Sequence, residues 1–172
     1  MKCLIKNIFC VVLFTLTPAF VFAKKEIAIT IDDPHTKETP LLNWQQRNDA
    51  ILNILDKHKI QAALFVCGMR VDNANGISLL NQWDKKKHLI CNHSYSHLYF
   101  NSASKTCDIF IADFKKGDSI IRHYKNYTKL FRFPYLKEGN SAAKRDSMRT
   151  AMKTEGYKNG YVMWPVRTAV SG

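Results

Sequence analysis

The chain has 172 residues and carries 26 Lys and Arg against 14 Asp and Glu, a formal charge of +12. That length fits one domain beside a short targeting segment, and five cysteines, of which Cys67, Cys91 and Cys107 lie beyond that segment, exclude a disulfide-built scaffold. The positive charge suits either solvated helix faces or an anionic polymer such as a cell wall or a nucleic acid, and charge alone does not choose between them.

Residues 1–23 read as a signal peptide. Lys2 and Lys6 form a basic start, and an apolar run from Ile8 to Phe22 follows, interrupted by Pro18. Val21-Phe22-Ala23 then offers a cleavage pattern before Lys24-Lys25. The run is short for a transmembrane anchor. The expectation is an exported chain, secreted or periplasmic, with residues 24–172 as its domain and no stable membrane anchor.

Glu26 to Ile31 alternates and then runs apolar, which predicts a strand ending on Asp32-Asp33-Pro34-His35. Thr39-Pro40 is read as the cap of a helix over 41–58, where Trp44, Arg47, Ile51, Ile54, Leu55 and His58 keep helical spacing. Residues 60–67 form a second apolar strand, stopped by Gly68. A short helix over 77–86 and a third strand over 88–92 come next. Residues 102–124 show an apolar stripe with Gly117 breaking its centre. Residues 128–133 make a fourth strand ended by Pro134, 141–155 a helix closed by Gly156, and 157–163 the start of a fifth strand. Strands and helices alternate without hairpin signals, so the fold expected is α/β, a parallel sheet with crossover helices, open or curled toward a barrel.

Cys91-Asn92-His93-Ser94-Tyr95-Ser96-His97 follows the third strand. Two histidines at i and i+4 share one face of a helical turn and come within reach of a single metal ion. Asp32-Asp33 and Arg132-Phe133-Pro134-Tyr135 also lie just past strand ends, so three polar clusters converge on one rim of a parallel sheet. Two histidines and a carboxylate are a catalytic zinc set, with positions left for water and substrate. A second carboxylate beside the metal suits a general base, and Arg132 is placed to orient it. A backbone N–H near Tyr135 is a candidate oxyanion donor. Cys91 is weighed as an extra soft ligand, although its apolar strand favours a buried free thiol. Tyr95, Tyr99, Phe100 and Tyr135 are candidate faces for sugar rings.

Thr30-Ile31-Asp32-Asp33-Pro34, His93-Ser94-Tyr95-Ser96-His97 and Arg132-Phe133-Pro134-Tyr135 resemble, in order and spacing, the first three motifs of the polysaccharide deacetylases of the NodB-homology type. The resemblance spans roughly residues 26–163. It implies a parallel-stranded distorted (β/α) barrel, here of about five βα units, and a metal-dependent hydrolase using Zn2+ or another divalent metal such as Co2+. The substrate implied is an N- or O-acetylated polysaccharide, peptidoglycan or a chitin-like glycan. Residue by residue, it makes Asp32 the general base that activates water at the metal, and Asp33, His93 and His97 the metal ligands. Arg132 becomes the tether of Asp32, and the Tyr135 amide the oxyanion donor. Two departures stand out. Pro34 replaces the family's Gly after the aspartate pair. The family's later motifs, an Asp with a Trp and then a catalytic His, find no match beyond Trp164, so the domain is expected to be missing its C-terminal part. A catalytically inactive remnant or glycan-binding module is therefore the alternative reading. A nucleic-acid binder is disfavoured, because no such motif is present.

Overall fold

The structure is a computed structural model and describes residues 28–157. Four strands, β1 (Ile29–Asp32), β2 (Ala62–Val66), β3 (Leu89–Asn92) and β4 (Tyr127–Phe131), form one parallel sheet in sequential order. Asp32 pairs with Phe65, Val66 with Asn92, and Asn92 with Phe131, so all four strands end on the same rim. The expected parallel α/β architecture is what forms. The signal peptide and all of the expected fifth strand beyond Tyr157 lie outside the described residues, and Tyr157 itself is not in a strand.

The apolar run of β2 reflects burial on both faces. Leu64 and Val66 face Trp44 and Leu52 of helix α1 (Trp44–Lys57) and Leu79, Leu80 and Trp83 of α3 (Ala74–Lys85). Ala63 and Phe65 turn the other way and meet Cys91 and Leu130. Arg132, just past β4, reaches Thr30 and Asp32 of β1. In a flat sheet three strand intervals would separate those edges by roughly 14 Å, more than an arginine and an aspartate span together. The sheet is therefore curled into part of a barrel wall, and the four described strands do not close it. A second apolar cluster joins Phe110 and Phe114 of α4 (Cys107–Ile121), Phe131, and Met148 and Met152 of α5 (Ala142–Thr154) around the fully buried Phe100. Each such buried phenylalanine stabilises by about 2–3 kcal/mol. Phe100 is thus core and not a sugar platform.

Several boundaries differ from expectation. Helix α1 starts at Trp44, because Asn43 accepts from the Gln46 N–H while Gln46 accepts from the Asn43 N–H, a reciprocal cap that Thr39-Pro40 does not match. Helix α3 starts three residues earlier than expected, capped by Asn73. A single turn, α2 (Gly68–Val71), intervenes after β2. Gly117 does not break α4: a Cβ there would lie 2.5 Å from the Ser94 carbonyl carbon and 2.7 Å from its oxygen, so the glycine lets the helix press on the histidine loop.

Candidate active site

Asp32 and Asp33 end β1, and the Asp33 N–H donates to the Phe65 carbonyl at 3.0 Å as the chain turns over the rim. The histidine segment is a tight loop, not a helical turn. Asp33, Ser94, His97 and Tyr135 all take left-handed backbone angles (φ 57°, 66°, 55° and 56°) without being glycine. Such conformations cost roughly 1–3 kcal/mol each and persist where the surroundings over-determine them.

The surroundings of the loop do so. The Asp113 carboxylate on α4 accepts the N–H of Ser96 at 3.0 Å and of Tyr95 at 3.1 Å. Buried Asn92 accepts the Ser94 N–H at 2.7 Å and donates to the Phe114 carbonyl at 3.1 Å. The result sets the two imidazole centroids 5.0 Å apart. Neither Asp113 nor Asn92 was anticipated from the sequence. A carboxylate between Phe110 and Phe114 on the buried face of a helix was the available signal for Asp113.

One ligating atom each from Asp33, His93 and His97 lies within 4.8 Å of the others. His93 Nδ1 is 2.7 Å from the Arg132 carbonyl. A carbonyl only accepts, so Nδ1 carries the proton and Nε2 keeps its lone pair. Burial holds the His93 imidazole below its ordinary range, against the opposing pull of that carbonyl and of both aspartates. His97 Nε2 is 3.2 Å from Asp33 Oδ2. Asp33 Oδ1 is buried without a hydrogen-bond partner. Two imidazole nitrogens and an orphaned carboxylate oxygen fit the donor set of a divalent metal such as zinc. Cys91 stands outside this group, and burial pushes its thiol up to about 12.

Arg132 is 3% exposed. Its Nη1 donates to Asp32 Oδ1, and both terminal nitrogens donate to Thr30 Oγ1 at 3.1–3.2 Å. Its guanidinium also stacks on Phe65, 4.1 Å from the ring centre. Asp32 is thereby fixed one residue away from the candidate ligand Asp33, with its side chain 35% exposed. Tyr135 sits on the short turn Pro134–Leu136. Its ring packs edge-on against His97 at 4.6 Å and against Tyr99 at 5.4 Å, and both tyrosines are exposed. The turn's own bonds run from Leu136 N–H to Phe133 and from Lys137 N–H to Pro134.

A cleft of about 680 Å³ opens at His97, one of the three candidate ligands, lined also by His35, Lys37, Arg70, Asn73 and Tyr135 among others. Arg47 donates to the carbonyls of His35 (3.1 Å) and Lys37 (3.0 Å) and so pins the loop after Pro34. His35 is held below its ordinary range by partial burial first and then by Arg47, Arg70 and Lys37, with Asp33 opposing. All six residues singled out from the sequence (Asp32, Asp33, His93, His97, Arg132, Tyr135) meet on this rim.

The polysaccharide deacetylase family model matches residues 21–160. The chain is 30% identical over 142 residues to a peptidoglycan-N-acetylglucosamine deacetylase of Bacillus cereus, covering 82% of this chain and 57% of that protein. Its fold resembles that of the peptidoglycan deacetylase PdaC from Bacillus subtilis (27% identity, TM-score 0.55, 74% of this chain and 56% of that one). It also resembles a CE4 family pseudoenzyme from Bacillus anthracis (20% identity, TM-score 0.58, 76% and 42%), a likeness of fold alone. The chain thus spans less than two thirds of the length of these relatives. With the family match over most of its length and the three motifs gathered on one rim, the chain belongs to the polysaccharide deacetylase family.

Proposed function

We propose that the chain is a metal-dependent hydrolase that removes acetyl groups from an N-acetylated glycan, peptidoglycan in the first instance, acting outside the cytoplasm after loss of residues 1–23. The observation that carries this reading is the convergence of Asp33, His93 and His97 within 4.8 Å, next to an Asp32 locked by Arg132. Asp33 Oδ1, His93 Nε2 and His97 Nε2 are the atoms that would hold the metal, zinc by donor type. When bound, the metal supplies Lewis acidity and brings the pKa of a water toward ~7.

Asp32 accepts the proton of the attacking water. Its side chain stays partly exposed, while Arg132, itself anchored on Thr30, fixes its orientation. Attack on the acetyl carbonyl carbon gives a tetrahedral oxyanion, which the Tyr135 N–H receives, being outside the turn's two internal hydrogen bonds. The C–N bond then breaks, acetate leaves, and the sugar nitrogen takes up a proton; Asp32 holds the one gained in the first step. His93 keeps a single tautomer throughout because the Arg132 carbonyl fixes Nδ1–H.

The test is acetate release from N-acetylglucosamine oligomers and from peptidoglycan by the purified full chain, with zinc and after chelation. Release that requires metal and disappears in Asp32→Asn supports the reading. A folded, zinc-loaded chain that releases no acetate from either substrate would leave a glycan-binding protein in its place.

A further inference from the structure

The end of the sheet opposite the reacting rim carries a different chemistry. There each helix turns into the next strand: α1 into β2 through residues 58–61, α3 into β3 through 86–88, and α4 into β4 through 122–126. The register sets Ala63 beside Leu89 and Ile90 beside Tyr127, so the three connections lie at one level. They are stitched side by side. Lys86 pairs with Asp56, the Gln61 side chain donates to the Lys87 carbonyl at 2.7 Å, and Asp84 accepts the N–H groups of Lys125 (3.2 Å) and Asn126 (2.7 Å). Lys57, Lys59, Lys85, Lys87, Arg122 and Lys125 are exposed around these seams. Among the described residues none of the six is in an ion pair.

Cations near a helix C-terminus complement its dipole, but any position in the last turn serves that purpose. Two of these lysines stand where the backbone disfavours them. Lys59 (φ 53°) and Lys87 (φ 63°) are the left-handed residues that end α1 and α3. Their N–H groups donate to the carbonyls of Asp56 and Asp84, both at 3.0 Å, and the next N–H reaches back to Leu55 (2.9 Å) and Trp83 (3.1 Å). The same pair of bonds ends α5, and there the left-handed residue is Gly156 (φ 79°). Glycine takes that conformation without strain, and lysine does not. The chain thus keeps two lysines on one face against the local backbone preference, which points to a use for their charge. No large apolar side chain is exposed in the three connections, so the face offers neither a stacking platform for bases nor a wedge for insertion. A broad array of cations at one level suits a plane of phosphate headgroups. The chain also enters the sheet from this side. Ile29 opens β1, six positions after Ala23, where the segment read as a signal peptide ends. On that reading a leader held in the bilayer brings this face to the lipid first.

We propose that this basic face adsorbs on an anionic phospholipid surface and holds the domain with its reacting rim turned away from the membrane. The five residues of β2 rise about 16 Å between the two ends, so the rim stands clear of the headgroups. The contact is electrostatic, and it is independent of the deacetylase reading.

The experiment measures partitioning of the full chain onto vesicles of phosphatidylcholine alone and of phosphatidylcholine mixed with phosphatidylglycerol, at two salt concentrations. The readout is the ratio of the two partition coefficients, which cancels binding through the apolar residues 8–22. Lys59→Gly/Lys87→Gly removes two charges and relieves both left-handed positions. Lys59→Arg/Lys87→Arg keeps the charges. Lys105→Gln/Arg145→Gln removes two charges at the opposite ends, where α4 and α5 start. A cation at an anionic surface is worth about fivefold in partitioning, so the glycine pair lowers the ratio roughly 20-fold and the arginine pair keeps it. The control pair, beyond a Debye length of the surface, changes it less than about threefold. Added salt brings the wild-type ratio toward one. The glycine pair unfolds in urea at a midpoint no lower than wild type, so its lost binding is not lost fold. A wild-type ratio near one, a ratio unmoved by the glycine pair, or an equal fall in the control pair overturns the proposal. Displacement of vesicle-bound chain by inorganic polyphosphate at equal or lower phosphate concentration makes a soluble polyanion the preferred partner and overturns it too.

Discussion

Replacing Gly117 by alanine tests how tightly α4 holds the histidine loop. The added Cβ would stand 2.5 Å from the Ser94 carbonyl carbon, 2.7 Å from its oxygen and 2.9 Å from Asn92 Oδ1. Ordinary contact between carbons begins near 3.5 Å, so helix and loop must part by about 1 Å. No rotamer relieves this, because two of the three atoms are backbone and the third already accepts the Ser94 N–H. Alanine gains about 1 kcal/mol of helix propensity at a mid-helix glycine. Overpacking costs about 1–3 kcal/mol or more, and a backbone collision belongs at the upper end. The net expectation is a loss of about 2 kcal/mol in urea unfolding of the metal-free chain. The same displacement moves both histidines, so zinc affinity falls about 10–100-fold. Gly68→Ala is the comparison: its Cβ meets chiefly the Tyr95 ring, at 2.7 Å, a side chain that can turn aside. It should be the milder change on both measures. A Gly117→Ala chain as stable as wild type and with unchanged zinc binding would refute the argument that this glycine sets the helix-to-loop distance.

Asp113→Ala should destabilise by about 1–3 kcal/mol in urea unfolding, because the Ser96 N–H loses its acceptor in a half-buried loop while the Tyr95 N–H keeps only the Asp113 backbone carbonyl, at 3.2 Å, and it should weaken zinc binding in calorimetry. Asp32→Asn should keep zinc affinity within a few-fold while acetate release drops at least 100-fold, which separates the base from the ligands. The metal-free chain should lose stability as pH falls below 6.5. Burial holds His88 and His93 below that value, and His88 Nδ1 accepts the Ala62 N–H at 3.2 Å, which requires an unprotonated nitrogen. The unfolded chain therefore binds more protons than the folded one there, and the urea midpoint should decline from pH 7.5 to 5.5. A midpoint that is flat or rises over that range contradicts the burial of neutral imidazoles.

The strands were legible because β2 and β3 are continuous apolar runs bounded by glycine, lysine or polar residues, the mark of a sheet covered on both faces. The rim was legible for a related reason: in a parallel sheet every polar cluster just past a strand end must face the same way. What stayed hidden were distances across the sequence. Gly117 looked like a helix breaker because propensity is local, whereas its use is an approach to Ser94, 23 positions away in the chain. The start of α1 was misplaced because Thr39-Pro40 has the right residue types, and the reciprocal Asn43–Gln46 cap won on geometry. The histidines' spacing suggested a helical turn, but left-handed angles at Ser94 and His97 bring the rings together in a loop.

The claim on which the rest depends is that Asp33, His93 and His97 are one metal site. Calorimetric titration of zinc into the full chain, beside the double variant His93→Ala/His97→Ala, tests it without any choice of substrate. The account predicts tight binding at one site, lost in the double variant while far-ultraviolet circular dichroism stays the same. One-site binding that survives in the double variant, or none by a folded wild-type chain, would contradict it.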